Sequence, residues 1–190
     1  MPVPVPQNAK RVFHGLKHDI WQWEQTLFDG STTTFESMVR EDTVSVIPFL
    51  DAQTVLLIYE EQPSQEHPFW EAPGGCVDPE ENPEMTARRE LLEETGYEAG
   101  SILPFRTKRF QGKTRFEEHV FLASRLSDTR KPHLDAGEKI QSHPTPWKEA
   151  VALCLRGELR SQTAMLAILA MEFDPEAKKL KEQFLSRHSS

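Results

Sequence analysis

The segment PGGCVDPEENPEMTARRELLEETGY, residues 73–97, gathers Glu80, Glu81, Glu84, Glu90, Glu93 and Glu94 into one short run. Carboxylates at this density either form a solvated surface or hold a cation. Asn82 is a good N-cap, Pro83 suits the first helical position and Gly96 suits the residue just past a helix end, so the spacing predicts a helix over 83–95. At about 100° per residue, Glu90, Glu93 and Glu94 share one arc of it. Met85 and Leu92 point roughly the opposite way, with Leu91 at the flank. Unpaired carboxylates at these spacings repel by about a few tenths of a kcal/mol per pair, and neither nearby cation, Arg88 or Arg89, separates the three. A hard divalent ion would turn the repulsion into ligation, because Mg²⁺ prefers carboxylate oxygens. Gly74 and Gly75 allow backbone to approach such a ligand closely. On these residues alone, solvated face and cation site both stay open.

The elements around the cluster read as a mixed α/β arrangement. Residues 1–9, with Pro2, Pro4 and Pro6, form an arm that cannot complete a strand ladder. Residues 19–28 alternate as a strand with Trp21, Trp23 and Leu27 on one face. Asp29-Gly30 predicts a two-residue hairpin turn into a β-branched stretch. The paired tryptophans read as strand packing rather than a base-stacking platform. Residues 43–50 and 54–62 are strong strands, the second with an apolar run implying burial on both faces. Further strands are expected over 101–110 and 116–126, with Val120 and Leu122 opposite Phe121 and Ala123. Residues 127–146 read as a long polar loop. Helices follow over 147–156, ended by Gly157, and from 162 behind a Ser161 cap. The division is then a β unit over 1–41, a main domain over 42–174, and a charged tail over 175–190 that adds a helical turn or two.

Composition narrows the function. A net charge of −8 argues against nucleic-acid polymers and anionic membranes as partners, since phosphate backbones need clustered Lys and Arg. A small phosphorylated substrate held through a metal remains compatible. Cys76 and Cys154 have no ligand spacing and no framework to build, and read as reduced thiols. The N-terminus lacks a signal-peptide pattern and no apolar run is long enough to span a bilayer. A cytoplasmic protein is expected.

Spacing then bears on the glutamates. Gly75, five residues, Glu81, seven residues, Arg89-Glu90-Leu91, one residue, Glu93-Glu94, one residue, Gly96 and Tyr97 resembles the Nudix box, G-x5-E-x7-R-E-U-x-E-E-x-G-U, with U a bulky aliphatic. Only Tyr97 departs from the specified positions. The order of the segments around it, over about residues 11–172, is similar to the ADP-ribose and ADP-sugar pyrophosphatase group.

That resemblance implies a Nudix α/β/α sandwich with a mixed sheet and a small N-terminal antiparallel β unit. It implies Mg²⁺-dependent hydrolysis of a nucleoside diphosphate sugar, with Mn²⁺ as a substitute. Glu90, Glu93 and Glu94 would be metal ligands, with the Gly74 carbonyl a further one; Glu93 and Glu94 would also position the catalytic water. Arg89 would pair with Glu81 to brace the loop, beside Gly75. Glu138, in DAGEKI, falls where the group carries a catalytic glutamate, and Glu71 could meet substrate or metal-bound water. The N-terminal strands imply a homodimer. Two positions depart from the group: Pro63-Ser64 follows Gln62 where an arginine is usual, and Lys113 stands where ADP-ribose specificity expects proline. A GDP-sugar or nucleoside triphosphate substrate, and a non-catalytic nucleotide-binding module, are the alternatives.

Overall fold

Among the described residues the strands form one curled, mixed nine-stranded sheet, and helices cover both of its faces. The computed structural model describes residues 4–129, 132–134, 137 and 139–186. The strands are β1 (Lys10–His14), β2 (His18–Thr26), β3 (Thr32–Arg40), β4 (Thr43–Asp51), β5 (Thr54–Glu61), β6 (Phe69–Glu71), β7 (Tyr97–Gln111), β8 (Thr114–Asp128) and β9 (Lys139–Pro146). The helices are α1 (Pro83–Thr95), α2 (Trp147–Arg156), α3 (Gln162–Phe173) and α4 (Pro175–Ser186). Strand order is β1-β2-β3-β8-β4-β5-β6, with β7 on the other edge of β8 and β9 on the other edge of β5.

β4 and β8 run parallel, from Thr43 opposite Glu118 to Pro48 opposite Ala123. Parallel strands need cover on both faces, and β8 shows it. Val120 and Leu122 join the core under α2, α3 and α4, whereas Phe121 and Ala123 pack with Ala87 and Leu91 of α1. In β5, Val55, Leu56, Leu57 and Ile58 are all buried. The expected mixed α/β sandwich and its two-sided strands are what forms.

The N-terminal hairpin is real but its turn is longer than Asp29-Gly30 alone predicts. Leu27 and Ser31 close a three-residue loop in which Gly30 has φ of 84°, the left-handed position that glycine fills at no steric cost. Trp23 is buried beside Phe35 and under the Arg115 guanidinium, which is packing; Leu27 lies past the strand and is exposed. β1 adds a strand that alternation did not announce.

Two other segments differ from the sequence expectation. Residues 139–146, read as loop, form β9 along the outer edge of β5. An edge strand tolerates Pro144 and Pro146 because it need not donate on its open side. The tail is a three-turn helix rather than a turn or two: Phe184 enters the core and the Lys181 ammonium sits 3.8 Å from the Trp147 ring centroid.

Candidate metal and catalytic site

Helix α1 begins and ends where its caps dictate. The Asn82 side chain accepts from the Met85 N–H, and Gly96 at φ of 79° closes the last turn onto the Leu92 carbonyl. Its buried face is Thr86, Ala87, Leu91, Glu94 and Thr95, so the core contact lies closer to the glutamates than expected and Met85 is exposed. Ala87 and Leu91 pack against Val44, Val46 and Phe121. Met85 lies on a different arc of the helix and is left outside.

Between β6 and α1 the chain runs extended beside β4. Val46 donates to the Pro73 carbonyl at 2.7 Å, Val44 to the Gly75 carbonyl at 2.9 Å, and Val77 to the Asp42 carbonyl at 2.8 Å. Gly74 N–H donates instead to Glu94 Oε2 at 2.9 Å. In extended chain a residue's N–H and C=O project to the same side, so the Gly74 carbonyl lies on the Glu94 side. Neither Gly74 nor Gly75 has positive φ; space, not a bend, requires them. A Cβ on Gly75 would stand 2.3 Å from Glu90 Oε1, and one on Gly74 would stand 2.1 Å from the Val44 carbonyl oxygen.

Arg89 sits at the centre of the charges. Its Nε donates to Glu81 Oε1 at 3.0 Å and its Nη2 to Glu81 Oε2 at 3.1 Å, while Thr86 Oγ1 donates to Glu81 at 2.6 Å. The Arg89 hydrogen bonds hold the Glu81 carboxyl below the usual range. The remaining Nη1 donates to Glu90 Oε1 at 2.9 Å and Glu93 Oε2 at 3.0 Å. Arg89 therefore supplies a counter-charge to Glu90 and Glu93, although it does not lie between them in sequence. Together these acceptors push the guanidinium further above its already high range, the Glu81 bond most of all.

The three glutamates are not equivalent. Glu94 is buried at 6% exposure on the Gly74 amide, and Glu90 lies against Gly75. Glu93 stands further out, at 33% side-chain exposure, on Arg89. The donor set of Glu90, Glu94 and the Gly74 carbonyl, with Glu93 at the rim, is all hard oxygen and fits Mg²⁺ or Mn²⁺. Glu138 lies outside the described residues.

Glu71 does not open toward this face by a free carboxylate. Its Oε1 accepts from Ala72 N–H at 3.0 Å and Ser161 N–H at 3.1 Å, and burial pushes the carboxyl up to about 7. Beside it Glu118 accepts from Ser161 Oγ and Thr163 Oγ1, both at 2.6 Å. Only the placement of β8 against the start of α3 reveals these partners of Glu118. Among the described residues the group that brings potential ligand atoms within 4.8 Å of one another is Asp42, Glu117 and His119, not the glutamates of α1. Arg109 pairs with Glu117 there, and Asp42 Oδ1 is taken by the Glu117 N–H.

Comparison with known proteins bears on the family and the fold. The model of the NUDIX domain matches residues 39–164. An ADP-ribose pyrophosphatase of Bacillus subtilis (strain 168) is 28% identical over 163 residues, covering 84% of this chain and 87% of that protein. A CMP-5'-(N-acetyl-N-hydroxy-3-aminopropyl)phosphonate hydrolase of Streptomyces rubellomurinus (strain ATCC 31215) is 28% identical over 166 residues, covering 86% and 80%. The crystal structure of an ADP compounds hydrolase superposes with a TM-score of 0.76 at 19% identity, over 95% of this chain and 96% of that one. The likeness carries the fold.

Proposed function

The chain belongs to the Nudix family and is a hydrolase of pyrophosphate bonds, and from that premise we propose that it splits ADP-ribose or a related ADP-sugar into AMP and a sugar phosphate. The observation that carries the reading is the closure of Glu90 and Glu94 on Gly75 and Gly74, with Arg89 and Glu81 bracing the loop. The ADP-ribose pyrophosphatase relative, matched over most of both chains, supports the substrate class.

In this proposal Glu90, Glu94 and the Gly74 carbonyl hold Mg²⁺, Glu93 adds a ligand from the rim, and Mn²⁺ can substitute. The bound cation supplies charge neutralisation for the diphosphate and acidifies water at neutral pH. Glu138 is the proposed general base. It takes a proton as water oxygen adds to one phosphorus, and the bond from that phosphorus to the bridging oxygen breaks. Glu93 and Glu94 fix where the water stands. Arg89 and Glu81 keep the loop in register and touch no reacting atom.

A neighbouring reading, another nucleoside-diphosphate-linked compound, draws on the cytidylyl-phosphonate relative and on Pro63-Ser64 and Lys113. We propose a homodimer for the assembly and the cytoplasm for the compartment, in keeping with two free thiols. Among the described residues no helix is long and apolar enough to cross a membrane.

The test is a substrate panel with Mg²⁺: ADP-ribose, other ADP-, GDP- and CDP-linked compounds, and nucleoside triphosphates, with each phosphorus-containing product identified. ADP-ribose is expected to turn over fastest, giving AMP. Preference for a triphosphate, with pyrophosphate released, would transfer the chain to a different Nudix activity. No turnover of any member would favour a binding module.

A further inference from the structure

Glu71 and Glu118 bring two carboxylates to the N-terminus of one helix, and they do so from different strands. Glu118, on β8, takes the hydroxyls of Ser161 and Thr163. Ser161 Oγ in turn caps α3 through the Ala164 N–H, and Ser45 Oγ of β4 lies 3.3 Å away. Glu71, at the end of β6, takes the Ser161 N–H and the N–H of its own neighbour, Ala72. The same junction carries a backbone bond from Arg160 N–H to the Trp70 carbonyl at 2.9 Å. Arg160 and Glu118 are the charged groups that act on the Glu71 carboxyl, with opposite sign.

The two carboxylates differ in what they are attached to. Glu118 holds the Ser161 and Thr163 hydroxyls at the helix start from inside a long strand. Glu71 leads through Ala72 and Pro73 into Gly74, whose amide holds Glu94. Ala72 and Pro73 are buried, so a displacement at Glu71 is passed along the chain rather than absorbed by a loop.

We propose that Glu71 is a positioning residue: it ties the segment entering Gly74 to the N-terminus of α3 and thereby fixes the backbone on which the glutamate cluster closes around its cation. The inference rests on the metal-site reading above. Glu71 acts through Gly74 and Glu94 and does not touch the reacting atoms. Both N–H groups are accepted by one oxygen, Oε1, so the tie survives protonation of the carboxyl and survives replacement by an amide. Outer partners that orient ligands commonly change metal affinity by about 10- to 100-fold when removed.

The test is Mn²⁺ binding to the full chain without substrate, followed by the loss of the free-ion paramagnetic resonance signal, alongside thermal melts. Glu71→Ala is expected to weaken Mn²⁺ binding by about tenfold or more, and Glu71→Gln to stay within about twofold of wild type. Glu118→Ala is the control: it strips the acceptor from Ser161 and Thr163 and should lower the melting temperature while leaving Mn²⁺ affinity near wild type. Wild-type binding in Glu71→Ala overturns the proposal. So does Glu71→Gln as weak as Glu71→Ala, which would make the charge itself a ligand. Equal weakening in Glu118→Ala would reduce the effect to helix stability. No Mn²⁺ binding by the wild-type chain would instead remove the metal-site reading, and this inference with it.

Discussion

At the scale of single residues, the site is a problem of crowding solved twice. Arg89 spreads its donors over Glu81, Glu90 and Glu93; in the proposed site a cation would be taken by Glu90 and Glu94 beside a backbone that has no side chain in the way. Gly75→Ala tests the second half. A Cβ there would overlap the Glu90 carboxylate at 2.3 Å, so the carboxylate must turn away. The fold should persist, since only a flexible side chain has to yield, while Mg²⁺-supported turnover should fall by about 10-fold or more. A turnover equal to wild type would show that Glu90 is not held where ligation needs it. Glu71 gives a pH signature. Its carboxyl lies at about 7 in the fold against 4.5 ordinarily, so the folded state binds the proton more tightly. That contribution is fully present below about pH 4.5 and is lost as pH rises through about 7. Relative to Glu71→Gln, the wild type should lose stability across that window in urea melts at stepped pH. A constant difference would contradict the burial that raises it.

At the scale of elements, α1 was legible because its punctuation is local. Asn82, Pro83 and Gly96 sit within a turn of its ends and do what their types dictate. Its orientation was less legible. Met85 looked like a core residue, but the arc that packs over Val44 and Phe121 carries Ala87 and Leu91 instead, and that surface is made by strands far away in sequence. The same limit hid β9, whose prolines read as loop until β5 offers them an edge, and it hid Glu118, whose partners are on α3. The tail misled for a related reason. Its charges are those of a solvated helix, yet Phe184 reaches the core. Phe184→Ala should cost about 3 to 5 kcal/mol, measured by denaturant unfolding. A loss no larger than that of a surface substitution would mean α4 is not part of the cooperative unit.

At the scale of the whole molecule, the glutamate cluster sits on one face of a sheet that also carries the N-terminal β unit. That unit exposes Val12, Phe13, Leu16, Phe28 and Phe35, apolar side chains that would be covered if a second copy packed against it. Sedimentation should give a mass of about twice 21.8 kDa, and Phe13→Asp with Phe28→Asp should shift it toward one chain without unfolding. A wild-type mass of one chain would leave those residues unexplained. The central claim, that this cluster hydrolyses a nucleotide-linked diphosphate through a bound divalent cation, is tested most directly by Mg²⁺ titration of ADP-ribose hydrolysis in wild type and Glu94→Gln. The wild type should release AMP with saturable Mg²⁺ dependence. The variant should melt like wild type yet turn over at least about 10²-fold more slowly at saturating Mg²⁺. Hydrolysis by the variant at the wild-type rate, or by the wild type without divalent metal, would contradict it.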